Sequence, residues 1–360
     1  MRATETTAEA RRCMEICNAC RYCEGYCAVF PAMELRRAFS DADLAYLANL
    51  CHDCRGCFHA CQYAPPHQFG VNLPRTFAEL RTETFSEYAW PLVPGGAFRR
   101  NGTVVALAIG VALAVVLLAA FALVSPATLY QAHIGAGAFY AVVPLFVMVT
   151  AGLVTFGLAL AALVASAVRF WRDTGGGRPG ARPIWRALGD VLTLRNLGGG
   201  GHGCNDIDEA FSRARRRLHH AMFYGFFLCF AATVVAFFDD LAGWPAPYPL
   251  VSAPVLLGTA GGIGLLVGTT GSFAIKLLAD PAPRAKNLLG MDTALLLLLA
   301  LVALSGLALL AFRASAAMGM LLALHLAFVL ALFLVLPWGK FVHAVYRAAA
   351  LLRYASERNP

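Results

Sequence analysis

Residues 17–27, CNACRYCEGYC, and residues 51–61, CHDCRGCFHAC, carry one pattern twice: C-x2-C-x2-C-x3-C. Thiols at i, i+3 and i+6 wrap a short loop around one centre and offer it three sulfur ligands, while the fourth cysteine lies further along the chain. This resembles the run that holds 4Fe-4S clusters in two-cluster ferredoxins, where the fourth cysteine ligates the other cluster. The spacing therefore predicts Cys17, Cys20, Cys23 and Cys61 on one cluster, and Cys51, Cys54, Cys57 and Cys27 on a second. Two zinc sites or a disulfide framework are the competing readings. Structural zinc usually takes cysteines in pairs across a longer spacer, which a repeated triple fits poorly. One departure from the ferredoxin run stands out: there a proline follows the last cysteine directly, whereas here it comes four residues later, at Pro31 and Pro65. The matched offset suggests a duplicated unit. Cys13 reads as a small buried residue.

The other residues decide where this head sits. Of 360 residues, 59% are hydrophobic and 14% charged, a composition that has to place apolar surface in lipid. Residues 1–16 are polar and contain no apolar core of a cleavable signal. The head is thus expected in the cytoplasm, where thiols stay reduced and available to a cluster. The net charge of +8 comes largely from arginines in loops, which bears on membrane topology rather than on nucleic acid, for which no module is present.

Residues 1–90 read as the cluster domain, with one or two short helices between Met33 and Leu50 and a helix from Phe77 to Trp90 that approaches the membrane; Trp90 and Phe98 suit an interface anchor. His52, His59 and His67 read as surface or packing residues more readily than as tuning groups for a cluster. Hydropathy then predicts six spans over 91–360, at 102–124, 138–168, 218–239, 253–278, 290–312 and 317–347. Arg99 and Arg100, the loop 170–216, then Lys276, Arg284 and Lys286, and finally Lys340, Arg347 and Arg353 all fall on one side. By the positive-inside rule that side is cytoplasmic, with both termini there, in the cytoplasmic (inner) membrane; Arg313 is a lone exception.

Ionisable residues at membrane depth are costly and usually functional. His325 and His343, both within the predicted last span, would stand on one helix face roughly 27 Å apart at 1.5 Å per residue. His219 and His220 open the third span at about the depth of His343. A b-type haem bridging His343 and one of that pair is the sharp expectation, since haem iron takes axial imidazoles from facing helices. The bland alternative is that His219 and His220 continue the basic run from Arg213 to Arg217. Adjacent residues point about 100° apart on a helix, so only one can face the iron, and the sequence leaves open which. His325 would need His133 as partner for a second haem, or else it lines a quinone or proton site. The glycine-dense stretch 198–203 suits a lid over the haem edge or a docking surface for the head. It lacks the strand and the Lys-Ser/Thr pair of a nucleotide loop. His202 and Cys204 read as structural, and Cys229 as a small apolar residue. The fold expected is mostly α: an N-terminal α-helical ferredoxin-like dicluster domain, then a six-helix transmembrane bundle of cytochrome b type.

CNACRYCEGYCAVFPAME (17–34), LCHDCRGCFHACQYAPPHQFGVNLP (50–74), LRNLGGGGHGCND (194–206), RARRRLHHAMFYGF (213–226) and HLAFVLALFLVLPWGKFVHAVYR (325–347) together resemble the tricarballylate utilisation protein B family, the CitB-type citrate utilisation proteins. The resemblance spans nearly the whole chain. It implies two 4Fe-4S clusters and haem b in a membrane protein that takes electrons from the reduced FAD of a separate soluble dehydrogenase, which oxidises tricarballylate, and passes them to the quinone pool. The spacing of His325 and His343 is also similar to that in the cytochrome b subunit of respiratory nitrate reductase. Read from the residues alone, the chain is an electron conduit with no flavin fingerprint of its own, so the first donor is a partner. A cluster-and-haem module serving a cobalamin-pathway flavoprotein, and a membrane redox sensor without haem, are the alternatives.

Overall fold

The computed structural model describes residues 4–92, 96–285 and 289–358; Lys286, counted above among the loop cations, lies outside them. Among the described residues the chain is helical, and its one β contact is an isolated bridge between Cys204 and Ser212.

The head is a bundle of short helices. α1 (Glu5–Cys20) is capped by Thr4, whose hydroxyl accepts from the Thr7 amide. α2 (Val29–Glu34) and α3 (Asp41–Leu50) fill the interval between the cysteine runs, and α3 begins with a reciprocal Ser40–Asp43 capping box. α4 (Gly56–His59) is a single turn inside the second run, and α5 (Leu73–Tyr88) is started by Asn72 and Pro74. Met14, Phe30, Met33, Leu44, Leu47, Phe77 and Phe85 interlock between these helices with almost no exposure. Phe98, read above as an interface anchor, instead joins this core with its ring 6.1 Å from that of Phe85. It reaches inward because α6 (Gly96–Arg99) folds back under α5 before the first span begins.

Among the described residues six helices are long and apolar enough to cross a membrane: α7 (Asn101–Leu123), α9 (Leu145–Asp173), α11 (Ala214–Leu241), α12 (Ala253–Leu278), α13 (Leu289–Phe312) and α14 (Met318–Val335) with the 3-10 turn that follows it. α8 (Pro126–Leu129) is one turn on the far side. The second span begins later than hydropathy predicts, at Leu145, because Pro144 starts the helix and 138–141 form a separate 3-10 turn. α7, α9, α13 and α14 pack together, while α11 packs mainly on α12, in a hairpin beside them.

Glycine makes that hairpin close. A Cβ on Gly225 would stand 2.5 Å from the Leu265 amide nitrogen, and one on Gly268 would stand 2.5 Å from that of Met222. In lipid, where no hydrophobic force draws helices together, small residues allow the backbone approach that packing needs. Gly268→Val should therefore force the two helices apart and destabilise the fold by about 1–3 kcal/mol. A thermal melt in detergent that matched the wild type would refute this packing role.

The last predicted span, 317–347, is not one helix. α14 stops at Val335, residues 336–338 form a 3-10 turn, and α15 (Val342–Glu357) starts anew. Pro337 lacks an amide hydrogen and its ring clashes with the preceding turn, so the helix cannot run through it. Gly339 follows in extended backbone. His325 and His343 thus belong to different helices, and the single-helix spacing of roughly 27 Å along one axis does not apply.

α15 packs on α9, on the head through α3, and on α10 (Ala181–Leu192), a helix within the segment read as the loop 170–216. Arg36 and Arg353 both stack on the Tyr46 ring, with guanidinium carbons 4.9 and 4.2 Å from its centroid. Arg36 donates to Glu357 at 2.5 Å and to Asp43 at 2.7 Å, and Arg353 donates to the same two carboxylates at 2.9 and 3.2 Å. Glu357→Ala leaves the buried Arg36 short of a partner. It should weaken docking of head on C-terminal helix by about 1–3 kcal/mol, measurable as faster proteolytic release of the head.

Candidate functional site

Both cysteine runs fold as tight loops at helix ends. Arg21, Asp53 and Arg55 adopt left-handed backbone, with φ of 55°, 55° and 64°. Such residues cost roughly 1–2 kcal/mol each and persist where the surroundings hold them, typically at sites. The curl turns amides toward sulfur: Asp53 N–H donates to Cys51 Sγ at 3.4 Å.

Cysteines of the two runs lie side by side, as the two expected fours, each drawn from both runs, require. Cys17, Cys20, Cys23 and Cys61 line one small cavity together with Cys57, Tyr22 and Tyr63. Burial, then neighbouring Cys61 and Cys20, pushes the Cys23 thiol up to about 12. The Cys27 thiol is raised well above its ordinary value by burial, then by Cys54 and Cys51. Cys57 is raised by burial, then by Cys54, Cys27 and Cys51. Thiolates packed this way in apolar surroundings repel one another unless positive charge sits among them, which iron supplies. Among the described residues no three His, Cys, Asp or Glu side chains converge on one metal ion. Sulfurs around a cluster each bind a different iron and stand further apart than ligands of a single zinc. Cys13 is buried and donates to Glu9 at 3.3 Å, outside both fours.

The second run is gripped both from within the head and from helices beyond it. Arg347 of α15 and Arg81 of α5 both donate to the Cys51 carbonyl, at 2.8 and 2.9 Å. Arg215, at the start of α11, donates to the Asp53 carbonyl at 2.6 Å and to Asp206 at 2.9 Å. The glycine-dense loop lies against this run: Asn205 N–H donates to the Cys54 carbonyl at 2.9 Å, and a Cβ on Gly199 would stand 3.8 Å from Cys54 Sγ. It covers the cysteines, as a docking surface for the head. His202 is exposed while Cys204 is buried, so the two do not face one centre.

A cavity of about 320 Å³ opens beside that loop, within the range of small-molecule and cofactor sites. His52 and Asp53 of the head line it together with Phe226, Phe341, His219 and His343. The rings of His219 and His343 have centroids 6.4 Å apart. A metal–imidazole bond of about 2 Å on each side of one ion, plus the half-width of each ring, puts two axial imidazoles about 6 Å apart. His343 Nδ1 donates to the Lys340 carbonyl at 2.5 Å, which leaves Nε2 with a free lone pair, as an axial ligand needs. Asp53 Oδ1, Asp206 Oδ2 and Arg284 Nε on the cavity wall are buried without a hydrogen-bond partner. Cations along that wall, including Arg81, Arg215, Lys276, Lys340 and Arg347, outnumber its carboxylates. The residues fit a haem that carries two acidic side chains.

His220 turns away: its Nε2 meets the Thr193 carbonyl at 3.1 Å and its ring stacks on Tyr224. His325 sits at the crossing of α13 and α14, with Nδ1 3.0 Å from Ser305 Oγ and its ring against Gly306. His133 Nε2 meets the Thr128 carbonyl at 2.7 Å. Each of these two histidines has a hydrogen-bond partner of its own. His52 is buried with Nδ1 2.8 Å from the Leu50 carbonyl, and His67 accepts from the Phe69 amide. The gripping arginines Arg81, Arg215 and Arg347 were invisible in sequence, because each acts on a backbone carbonyl of a distant segment.

A cysteine-rich iron–sulfur head fixed to a helical membrane bundle defines a membrane electron-transfer protein. The chain belongs to the citrate utilization protein B family. The family description "Citrate utilization protein B" matches residues 96–360, and "Citrate utilization protein B Fer4-like domain" matches residues 10–87. Citrate utilization protein B of Escherichia coli is 48% identical over 357 residues, covering 99% of this chain and 93% of that protein. No solved structure matches the chain.

Proposed function

We propose that this protein carries electrons from the reduced flavin of a separate, tricarballylate dehydrogenase-like enzyme, through two 4Fe-4S clusters and haem b, to the quinone pool, with the head and C-terminus in the cytoplasm. The 6.4 Å separation of His219 and His343, in a cavity that begins beside the Cys51 loop, carries the reading. Cys17, Cys20, Cys23 and Cys61 are the proposed entry ligands, being the group whose cavity is lined in part by the exposed Tyr22. Cys27, Cys51, Cys54 and Cys57 are the proposed second set, which Arg347 of α15 ties to the helices beyond the head through the Cys51 carbonyl.

Haem b, when bound, supplies a one-electron relay between the clusters and the acceptor. His343 orients its ring through Lys340, His219 faces it across the cavity, and Phe226 and Phe341, with ring centroids 5.4 Å apart, exclude water on the apolar side. The cavity's cations favour its two carboxylates. The test is an optical and EPR spectrum of the detergent-purified protein with metal and sulfide quantified. About eight non-haem irons, matching sulfide and a low-spin b-type α-band are expected; zinc without sulfide or haem would overturn the reading.

A further inference from the structure

α10 has two faces with different surroundings. Pro183 and Ala187 are buried in the packing against α15. Beside them Ile184, Trp185, Leu188 and Leu192 are exposed, Trp185 at 71%. These four side chains fall within an arc of about 100°, and the exposed Arg182 and Arg186 lie beyond it on the polar side. An apolar stripe of this kind is unfavourable in water and marks a contact surface.

The chain itself indicates what the stripe faces. Residues 174–180 tie α10 to the end of α9, and its other end is bonded to the first three turns of α11. There the Leu192 carbonyl accepts from Tyr224 at 2.7 Å and the Thr193 carbonyl accepts from Arg216 at 2.7 Å. The helix is thus held where two spans leave the apolar zone. Indoles gather at that depth. Trp171 sits in the last turn of α9, Trp338 closes the turn after α14, and Trp90 precedes the first span. The fifth tryptophan, Trp244, lies at the opposite end of the bundle, just after α11. Trp185 completes a belt on the side that carries Arg178, Arg182 and Arg186.

We propose that α10 is an interfacial anchor. It lies in the headgroup layer of that leaflet, with Ile184, Trp185, Leu188 and Leu192 in the acyl boundary and Arg178, Arg182 and Arg186 toward anionic phospholipid. Apolar side chains on one flank and arginines on the other are what holds a helix in the plane of a membrane surface, and arginines near an anionic leaflet add electrostatic attraction.

The test uses the full-length protein in nanodiscs of phosphatidylcholine and phosphatidylglycerol. Subtracting the emission of Trp185→Phe from that of the wild type isolates Trp185. A blue-shifted signal is expected, quenched several-fold by phospholipid brominated near the headgroup and little by aqueous acrylamide. Arg182→Gln with Arg186→Gln should reduce the lipid quenching. A red-shifted signal quenched by acrylamide alone places the stripe in water and overturns the proposal. Shielding from both quenchers, with two copies per disc, assigns the stripe to a second protein chain and overturns it equally. The wild type gives an independent readout: a photoactivatable phospholipid headgroup should label residues 181–192, and absence of label there, with label at the end of α9, sinks the idea.

Discussion

Replacing His343 with alanine is expected to abolish the low-spin b-type spectrum of the purified protein while leaving non-haem iron and sulfide unchanged. His219→Ala should do the same, because its ring faces His343 across the cavity at 6.4 Å. His220→Ala should leave the spectrum intact, since that imidazole points about 100° away around α11 and is engaged by the Thr193 carbonyl. The expected size is large. If both rings hold the proposed haem, losing one would remove a metal bond, where even an outer-shell change costs about 10–100-fold in affinity or activity. On the proposed path electrons would then stop at the second cluster, so reduction of quinone by dithionite-reduced protein should fall with the haem content. If His343→Ala kept full haem and quinone reduction, the assignment of this cavity would be wrong. If His220→Ala lost haem while His219→Ala kept it, the rotation of α11 would be the error.

That pair also marks where the sequence was legible. Hydropathy located the six spans because crossing length is a property of composition, and the bounds of α7, α12 and α13 differ from expectation by at most a residue at either end. It read through Pro337 because the apolar run on both sides is continuous and hydropathy is blind to φ. A proline in the run, with glycine two residues later, was the available signal. The histidines were found as unusual residues at depth, but choosing His219 over His220 requires knowing how α11 is rotated. The glycines along its contact with α12 set that rotation. α10 was read as loop because glycine and proline surround it. Apolar residues at 184, 188 and 192 with arginines at 182 and 186 do carry the helical period, over only three turns. The cysteine runs were legible because their chemistry is local.

Local spacing leaves one question that substitution answers sharply, namely which fourth cysteine serves which loop. If the two fours are as proposed, Cys20→Ser and Cys61→Ser should perturb one and the same EPR feature. Cys54→Ser and Cys27→Ser should perturb the other. Each variant should drop the iron content from about eight to about four. Were each run to hold its own cluster, the sorting would change: Cys20 would pair with Cys27, and Cys54 with Cys61. The physical basis is crossing of the runs. Cys61 follows α4 and returns to the cavity formed by Cys17, Cys20 and Cys23, while Cys27 lies just before α2 among Cys51, Cys54 and Cys57. Cross-ligation stitches the two loops together, so loss of either cluster should also loosen the other loop. The Cys27 variant should then lose quinone reduction most completely, because the cluster it would share with the second run sits where Arg347 ties the head to α15 through the Cys51 carbonyl.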